Sequence, residues 1–282
     1  MKAKFVNFYT DFGFKRLFGQ EESKELLVDF LNAILPIGDK IVSVAFTDYT
    51  THVRRKPEHA ALIDLVCTDG KGARFVVEMQ KAKLKFFRDR AEYYSTFPLR
   101  EMVERGDWDF ELKPVYCVAI LDFLFDKERR SVDGYCHVHR EKLHYIFVEM
   151  PRFKKRAEEL TDRFEKWLYF LKHLETFEHI PDTLQDEVFI KGLEIARLDN
   201  FTVEQWREYE YSLKNYRELK AAIDTAREEG FKEAFAESYL QGIEEGRIKT
   251  KLSIARSLKQ KNVSNREIAD LTGLSPEEID TL

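Results

Sequence analysis

Cysteine is scarce in this chain: it occurs three times in 282 residues, at Cys67, Cys117 and Cys136. The number is odd, the surroundings are apolar and no C-x-x-C pair exists, so neither a disulfide framework nor a zinc ribbon is indicated. Long hydrophobic runs are missing as well. The most apolar stretch, Val115 to Phe125, is too short for a membrane span and is broken by Asp122. The opening MKAKFVNFYT has no hydrophobic signal region. Together these absences lead to the expectation of a cytoplasmic protein of a reducing compartment, with no membrane contact. Positive charge is not in excess either: the net charge is −5. That balance does not favour nucleic acid as a partner, because phosphate contacts need clustered Lys and Arg. It does not exclude one, since the placement of charge matters more than its sum. No internal repeat stands out.

What is present is apolar material. Hydrophobic residues make up 44% of the chain and aromatic ones 13%, with 23 Phe, which is ample for a buried core and unlike a disordered chain. Asn7 to Gly19 (NFYTDFGFKRLFG) is aromatic-rich, with Thr10 or Asp11 able to cap a short helical turn. Apolar residues at 26, 27, 30, 31, 34 and 35 predict a helix over Glu21 to Leu35, stopped by Pro36. Ile41 to Phe46 reads as a strand, followed by a polar stretch through Pro57. Lys81 to Thr96 reads as a helix with a basic beginning, and Pro114–Phe125 and Leu143–Val148 as strands. From Pro151 the pattern is helical, with an apolar helix at Arg163 to Leu174 and one or two long helices over Val203 to about Lys261, where Gly230, Gly242 and Gly246 are weak points. Ile254 to Leu282 reads as three short helices. Ser264 with Glu267 and Ser275 with Glu278 fit the S-x-x-E capping box, and Gly273 fits a turn. This divides the chain into a core at 1–150, a helical region at 151–220 packed on or following it, and a long helix with a small helical module at 221–282.

The clearest hairpin is Ala61–Cys67 (ALIDLVC) and Ala73–Met79 (ARFVVEM), joined by Thr68-Asp69-Gly70-Lys71-Gly72. It carries Asp64, Glu78 and Gln80. Glu78 and Gln80 are two residues apart and share a face, while Val77 and Met79 point the other way into a core. Carboxylates inside runs this apolar are costly without a partner. A divalent cation is one such partner: carboxylates, a backbone carbonyl and waters suit Mg²⁺ held beside a phosphate. The turn length sets the register, because directly opposed residues share a face. A three-residue or five-residue loop puts Asp64 on the Glu78 face, the five-residue one directly opposite it; a two- or four-residue loop separates them. We expect the odd class. Spacing alone favours the plainer reading, ordinary polar positions of a half-exposed hairpin.

The runs D-F-G-F-K-R-L-F-G at 11–19, I-D-L-V-C at 63–67 and F-V-V-E-M-Q at 75–80 resemble the PD-(D/E)XK nuclease family transposases, which are related to the Rpn-type recombination-promoting nucleases. The likeness continues through R-A-E-Y-Y at 90–94, F-V-E-M-P-R-F at 147–153, K-W-L-Y-F-L-K at 166–172 and the tail at 264–279. The resemblance implies an α/β, restriction-endonuclease-like fold, a mixed central sheet flanked by helices, here with a helical C-terminal extension. It implies a DNA endonuclease of recombination or mobile elements that uses Mg²⁺ or Mn²⁺. Asp64 and Glu78 then bind the metal, joined by the Met79 carbonyl, and Asp11 completes the acidic cluster unless it is only a helix cap. Gln80 stands where the broader superfamily has lysine; it can hydrogen-bond a water or phosphate oxygen but carries no charge.

The segment Lys81, Lys83, Lys85, Arg88 and Arg90, against a single Asp89, directly follows this strand and forms a candidate DNA contact; a solvated basic face is the plainer reading. Tyr93 and Tyr94 follow on the same helix, with at least one in the core. His137 and His139 alternate beside Cys136 but lack a second ligand pair for zinc. The terminal helices resemble a helix-turn-helix, yet SPEEIDTL carries Glu277, Glu278 and Asp280 and no base-reading cation, which favours protein contact or homo-oligomerisation through the C-terminal helices. Two other functions fit the same residues: a catalytically weak nuclease-fold protein that binds DNA or regulates, and an assembly protein acting through its long helix.

Overall fold

A computed structural model describes residues 3–47, 64–83, 85–103, 111–124 and 135–282. The polar stretch through Pro57, the strand start at 61–63 and the His139 side chain lie outside the described residues. The chain forms two compact units, Met1–Lys220 and Ala221–Leu282.

The first unit opens with helix α1, Asp11–Phe18. Thr10 caps it: its hydroxyl accepts from the Gly13 N–H at 2.9 Å and donates to the Asn7 carbonyl at 2.7 Å. Asp11 therefore sits in the first turn and is not the cap. Helix α2, Lys24–Ile34, buries Leu26, Leu27, Phe30, Leu31 and Ile34, the face expected from its apolar spacing. Strands β1 (Val44–Phe46), β2 (Leu65–Asp69), β3 (Arg74–Gln80), β4 (Val115–Leu121), β5 (Tyr135–Arg140) and β6 (Leu143–Glu149) form one sheet in the order β1-β2-β3-β4-β6-β5. β3, β4 and β6 are parallel neighbours; the flanking pairs are antiparallel. β4 is buried along its whole length, as a strand covered on both faces must be.

Alternation assigns the two faces. Leu65, Cys67, Phe75, Val77 and Met79 join Val118, Ile120, Ile146 and Val148 in the large core, with α1, α2, α4 (Arg163–His173) and α5 (Glu187–Ala196). Aromatic rings dominate this core. Phe18 stacks on Phe30 at 4.9 Å, and both contact Trp167. The buried indole N–H donates to Asp29 at 2.6 Å, and Arg163 grips the same carboxylate with two bonds of 2.8 and 3.0 Å, so no polar group is stranded there. Val66, Val76, Cys117, Ala119 and Phe147 face the other way, under Phe87 and Ala91 of helix α3, Phe87–Val103.

α3 starts six residues later than the expected Lys81 and runs on to Val103, so the basic residues 81–85 lie on a connection. The cause is steric: the chain has to turn from the strand end onto the sheet face before Phe87 and Ala91 can be buried. β5 is a strand beyond those named from the sequence. Cys136 packs in the second core whereas His137 lies on the opposite face, its ring stacked on His144 at 5.4 Å with a nitrogen contact of 3.2 Å. Cys136 and His137 thus cannot share a ligand.

Helix α6, Val203–Gln260, begins in the first unit by fastening the N-terminal segment. Tyr209 Oη accepts from the Asn7 N–H at 3.0 Å and Ser212 Oγ from the Phe12 N–H at 3.2 Å. Tyr216 donates to Asp122, just beyond β4, at 3.2 Å. No break occurs at Gly230, Gly242 or Gly246.

In the second unit α7 (Asn265–Thr272) and α8 (Pro276–Asp280) pack on the end of α6 around Ala255, Ile268, Leu274 and Ile279. Both capping boxes form, and Gly273 closes α7 in the left-handed conformation at φ 66°. The expected first helix of the terminal trio, from Ile254, is instead the end of α6. Among the described residues, no helix is long and apolar enough to cross a membrane.

Gly13 shows what the D-F-G-F run is for. A Cβ there would lie 2.1 Å from the Asn7 carbonyl oxygen, a backbone atom that cannot swing away. Gly13→Ala is expected to destabilise the first unit by about 1–3 kcal/mol, measured by denaturant unfolding; an unchanged midpoint would contradict this packing.

Candidate active site

β3 is a seven-residue strand whose interior positions are all buried, and Glu78 is one of them, 5% exposed. Its neighbours Val77 and Met79 point into the large core, so the backbone pleat forces Glu78 to the α3 face, with Val76 and Gln80. The hairpin sets Asp64 against it. Thr68 pairs with Arg74 and Leu65 with Val77, leaving residues 69–73 as a five-residue connection. Continuing that register by one residue puts Asp64 across from Glu78. The turn works because Asp69 Oδ1 accepts the N–H groups of Lys71 and Ala73, both at 2.9 Å, while Gly72 takes φ 85°, a left-handed conformation disfavoured for other residues.

Asp64 Oδ2 accepts the Met79 N–H at 2.9 Å, which ties the carboxylate to the strand that carries Glu78. Gln80 donates its amide to Glu78 Oε2 at 3.0 Å. Glu78 Oε1, by contrast, is buried with no hydrogen-bond partner among the described residues. An orphaned carboxylate oxygen of this kind costs about 1–3 kcal/mol or more. Burial pushes the Glu78 carboxyl up to about 8, and the Asp64 charge adds to the rise; Arg90 and the Gln80 amide act against it. Burial also raises Asp64, aided by Asp11 and opposed by the Met79 N–H, Lys15 and Lys81. A buried carboxyl whose proton affinity is raised further by a neighbouring carboxylate marks a place where a positive charge is wanted.

Asp11 lies further out. It is largely exposed and accepts from Lys81 at 2.7 Å, so it reaches the carboxylates through its field and through Lys81. Among the described residues no three His, Cys, Asp or Glu side chains converge as a metal cage. The donor set at Asp64 and Glu78 is two carboxylates, all oxygen. That chemistry fits a hard divalent cation which keeps several waters, and the unpaired Glu78 Oε1 is the atom such an ion would satisfy.

Of the basic residues, Lys83, Lys85 and Arg88 are exposed, Lys85 standing 5.4 Å over the Phe86 ring. Arg90 is half-buried, with its guanidinium 4.9 Å over the ring of Tyr94. Tyr94 is buried and Tyr93 is 52% exposed. Three nearby residues, Tyr94, Cys117 and Asp122, were given no site role from the sequence. Cys117 and Tyr94 line a cavity of about 10 Å³ with Glu78, Ala91 and Ala119. Asp122, whose N–H donates to the Gln80 carbonyl at 2.9 Å, sits at the same strand ends. The one sequence signal for Asp122 was a charge interrupting an apolar run.

Comparison with protein families gives a match of residues 8–226 to the model of the PD-(D/E)XK nuclease family transposases. Comparisons with curated proteins and with solved structures each returned no match.

The Glu78 environment makes a pH dependence measurable in cation-free protein. The folded state binds this proton more tightly than the unfolded chain, so the stability it contributes is present at low pH. That contribution is lost as pH rises from the ordinary glutamate value of 4.5 to about 8. Glu78→Gln is expected to flatten this slope and to raise the melting temperature at pH 8.5 by a few degrees. Parallel stability–pH curves for both proteins would contradict it.

Proposed function

The chain belongs to the PD-(D/E)XK nuclease family transposases, and from that premise we propose that it is a metal-dependent DNA endonuclease acting in recombination or on mobile elements in the cytoplasm. The observation that carries this reading is the buried Glu78, opposite Asp64, with one carboxylate oxygen unsatisfied. Asp64 and Glu78 hold a Mg²⁺ or Mn²⁺ ion, with the Met79 carbonyl as a further oxygen ligand. Such an ion acidifies and orients the attacking water and offsets charge on the phosphate. Gln80, whose amide already fixes Glu78, replaces the superfamily's lysine as an orienting group without adding charge. Lys81, held at the site's edge by Asp11, returns a cation to that position. The connection bearing Lys83 and Lys85, with Arg88 and Arg90 at the start of α3, is the surface along which the DNA backbone lies.

A second reading concerns assembly. Phe231, Phe235 and Tyr239 are exposed on α6 in the second unit, their rings stacked at 6.2 and 6.3 Å. Three aromatic rings in one stripe suit a contact with the same stripe of another copy.

Supercoiled plasmid incubated with the protein and Mg²⁺ is expected to be nicked or linearised. Asp64→Ala and Glu78→Ala should each lower the rate at least about a hundredfold, the scale expected for losing a metal ligand. Activity unchanged in both variants would assign cleavage to another site; binding without cleavage across several metals would leave a regulatory DNA-binding protein. For the stripe, Phe231→Glu with Phe235→Glu should reduce the mass measured by light scattering, and a monomeric wild type would refute self-association.

A further inference from the structure

β3 and the helix α3 that packs on its second face each carry a buried polar atom with no hydrogen-bond partner among the described residues: Oε1 of Glu78 on β3 and Nε of Arg90 on α3. Glu78 borders the same cavity as Ala91 and Tyr94, the α3 neighbours of Arg90, although Arg90 itself does not line it. Glu78, Ala91, Tyr94, Cys117 and Ala119 line one small cavity, with room for about one water. Arg90, adjacent to Ala91, rests its guanidinium on the Tyr94 ring at 4.9 Å, hydrogen-bonds the Tyr94 side chain, and lies near enough to act on the charge of Glu78. It is unlike the other cations of the segment, since Lys83, Lys85 and Arg88 are exposed and Lys81 is paired with Asp11.

Both orphaned atoms are desolvated, and each omission is costly. A lone cation would satisfy Glu78 and be repelled by Arg90. A lone anion would satisfy Arg90 and be repelled by Asp64 and Glu78. A divalent cation together with an anionic oxygen meets each of the two charged groups with the opposite charge and leaves no like charges facing each other. Arginine suits the anionic half, because its planar fork is permanently charged and matches phosphate geometry. Tyr94 holds that fork over its ring by a cation–π contact.

We propose that Arg90, seated on Tyr94, is the ligand of a non-bridging phosphodiester oxygen at this centre, and that its charge makes cation binding and phosphate binding depend on each other. This rests on the reading that Asp64 and Glu78 hold a divalent cation. Arg90 keeps the carboxylates from binding a cation tightly until a phosphodiester takes up the guanidinium, so the complete centre assembles only on DNA.

The test is Mn²⁺ binding to the full chain, followed by the loss of the free-ion paramagnetic signal. It is measured with Mn²⁺ alone and with a phosphorothioate-linked duplex that resists cleavage. Wild type is expected to bind Mn²⁺ weakly alone and about tenfold more tightly with the duplex. Arg90→Gln should bind Mn²⁺ alone about tenfold more tightly than wild type and lose the enhancement by DNA. A merely structural arginine would not produce that gain. Arg90→Lys, the conservative variant, should keep the weak binding of Mn²⁺ alone and recover part of the enhancement. Tyr94→Ala, which removes both the ring and the hydroxyl that hold Arg90, should lose the enhancement. Arg90→Gln and Arg90→Lys both matching wild type with the enhancement intact overturns the inference while the metal site stands. Mn²⁺ binding that is absent in wild type, or unaffected by Asp64→Ala and Glu78→Ala, overturns the metal reading and this inference together.

Discussion

A carboxylate at the end of a covered strand, denied a partner for one of its oxygens, is the constraint around which this first unit is arranged. Glu78 is placed on the sheet's second face by the pleat of β3, because Val77 and Met79 occupy the large core on the other. It cannot move outward without drawing those two side chains out of the core, a loss of about 1.5–3 kcal/mol for each apolar side chain exposed. The charge cost is therefore fixed by hydrophobic packing. Its neighbours answer it only in part: an amide from Gln80 and a cation from Arg90 offset the charge, while a second carboxylate, Asp64, adds to the repulsion. A site that is electrostatically unfinished in this way is suited to binding, since the ligand's charge completes it.

The scaffold keeps this arrangement rigid from both sides. The parallel run β3-β4-β6 brings three strand ends to one edge, and short links cross it there: the Asp122 N–H to Gln80 and the Met150 N–H to Leu121. The aromatic N-terminal segment is tied to α6 by Tyr209 and Ser212, while Tyr216 of the same helix reaches Asp122 beyond β4. The start of α6 thereby connects α1, which carries Asp11 and Lys15, to the strand edge where Asp64 and Glu78 meet.

Much of the architecture was legible because local chemistry decides it. The helix over 24–34 follows from its apolar spacing, the two C-terminal helices from their capping boxes, and the faces of Glu78 and Val77 from strand alternation. The parts that were not legible depend on distant contacts. The start of α3 is set by where the sheet face lies, so a run of lysines that looks helical from 81 onward remains a connection until Phe87. The three glycines of α6 were read as weak points, yet each has open space around it and the helix passes through. Strand β5 pairs antiparallel on the sheet's edge beside β6, and nothing in the alternation of Cys136 and His137 names that neighbour.

Among the site residues the same division holds. By itself the sequence determined that Glu78 and Gln80 share a face and that a basic segment follows them, because a two-residue period and chain order need no partner strand. It narrowed the hairpin to two registers that bring Asp64 to that face, since an odd connection preserves the parity of the pleat. Only the tertiary structure decided that Asp64 stands directly opposite Glu78, that Asp11 reaches the site through Lys81, and that Arg90 and Tyr94 close over it. Those relations join residues 14 or 70 positions apart, or lie across separate elements. Their geometry follows from how the sheet twists and how α3 and α1 pack on it, which is a property of the whole core.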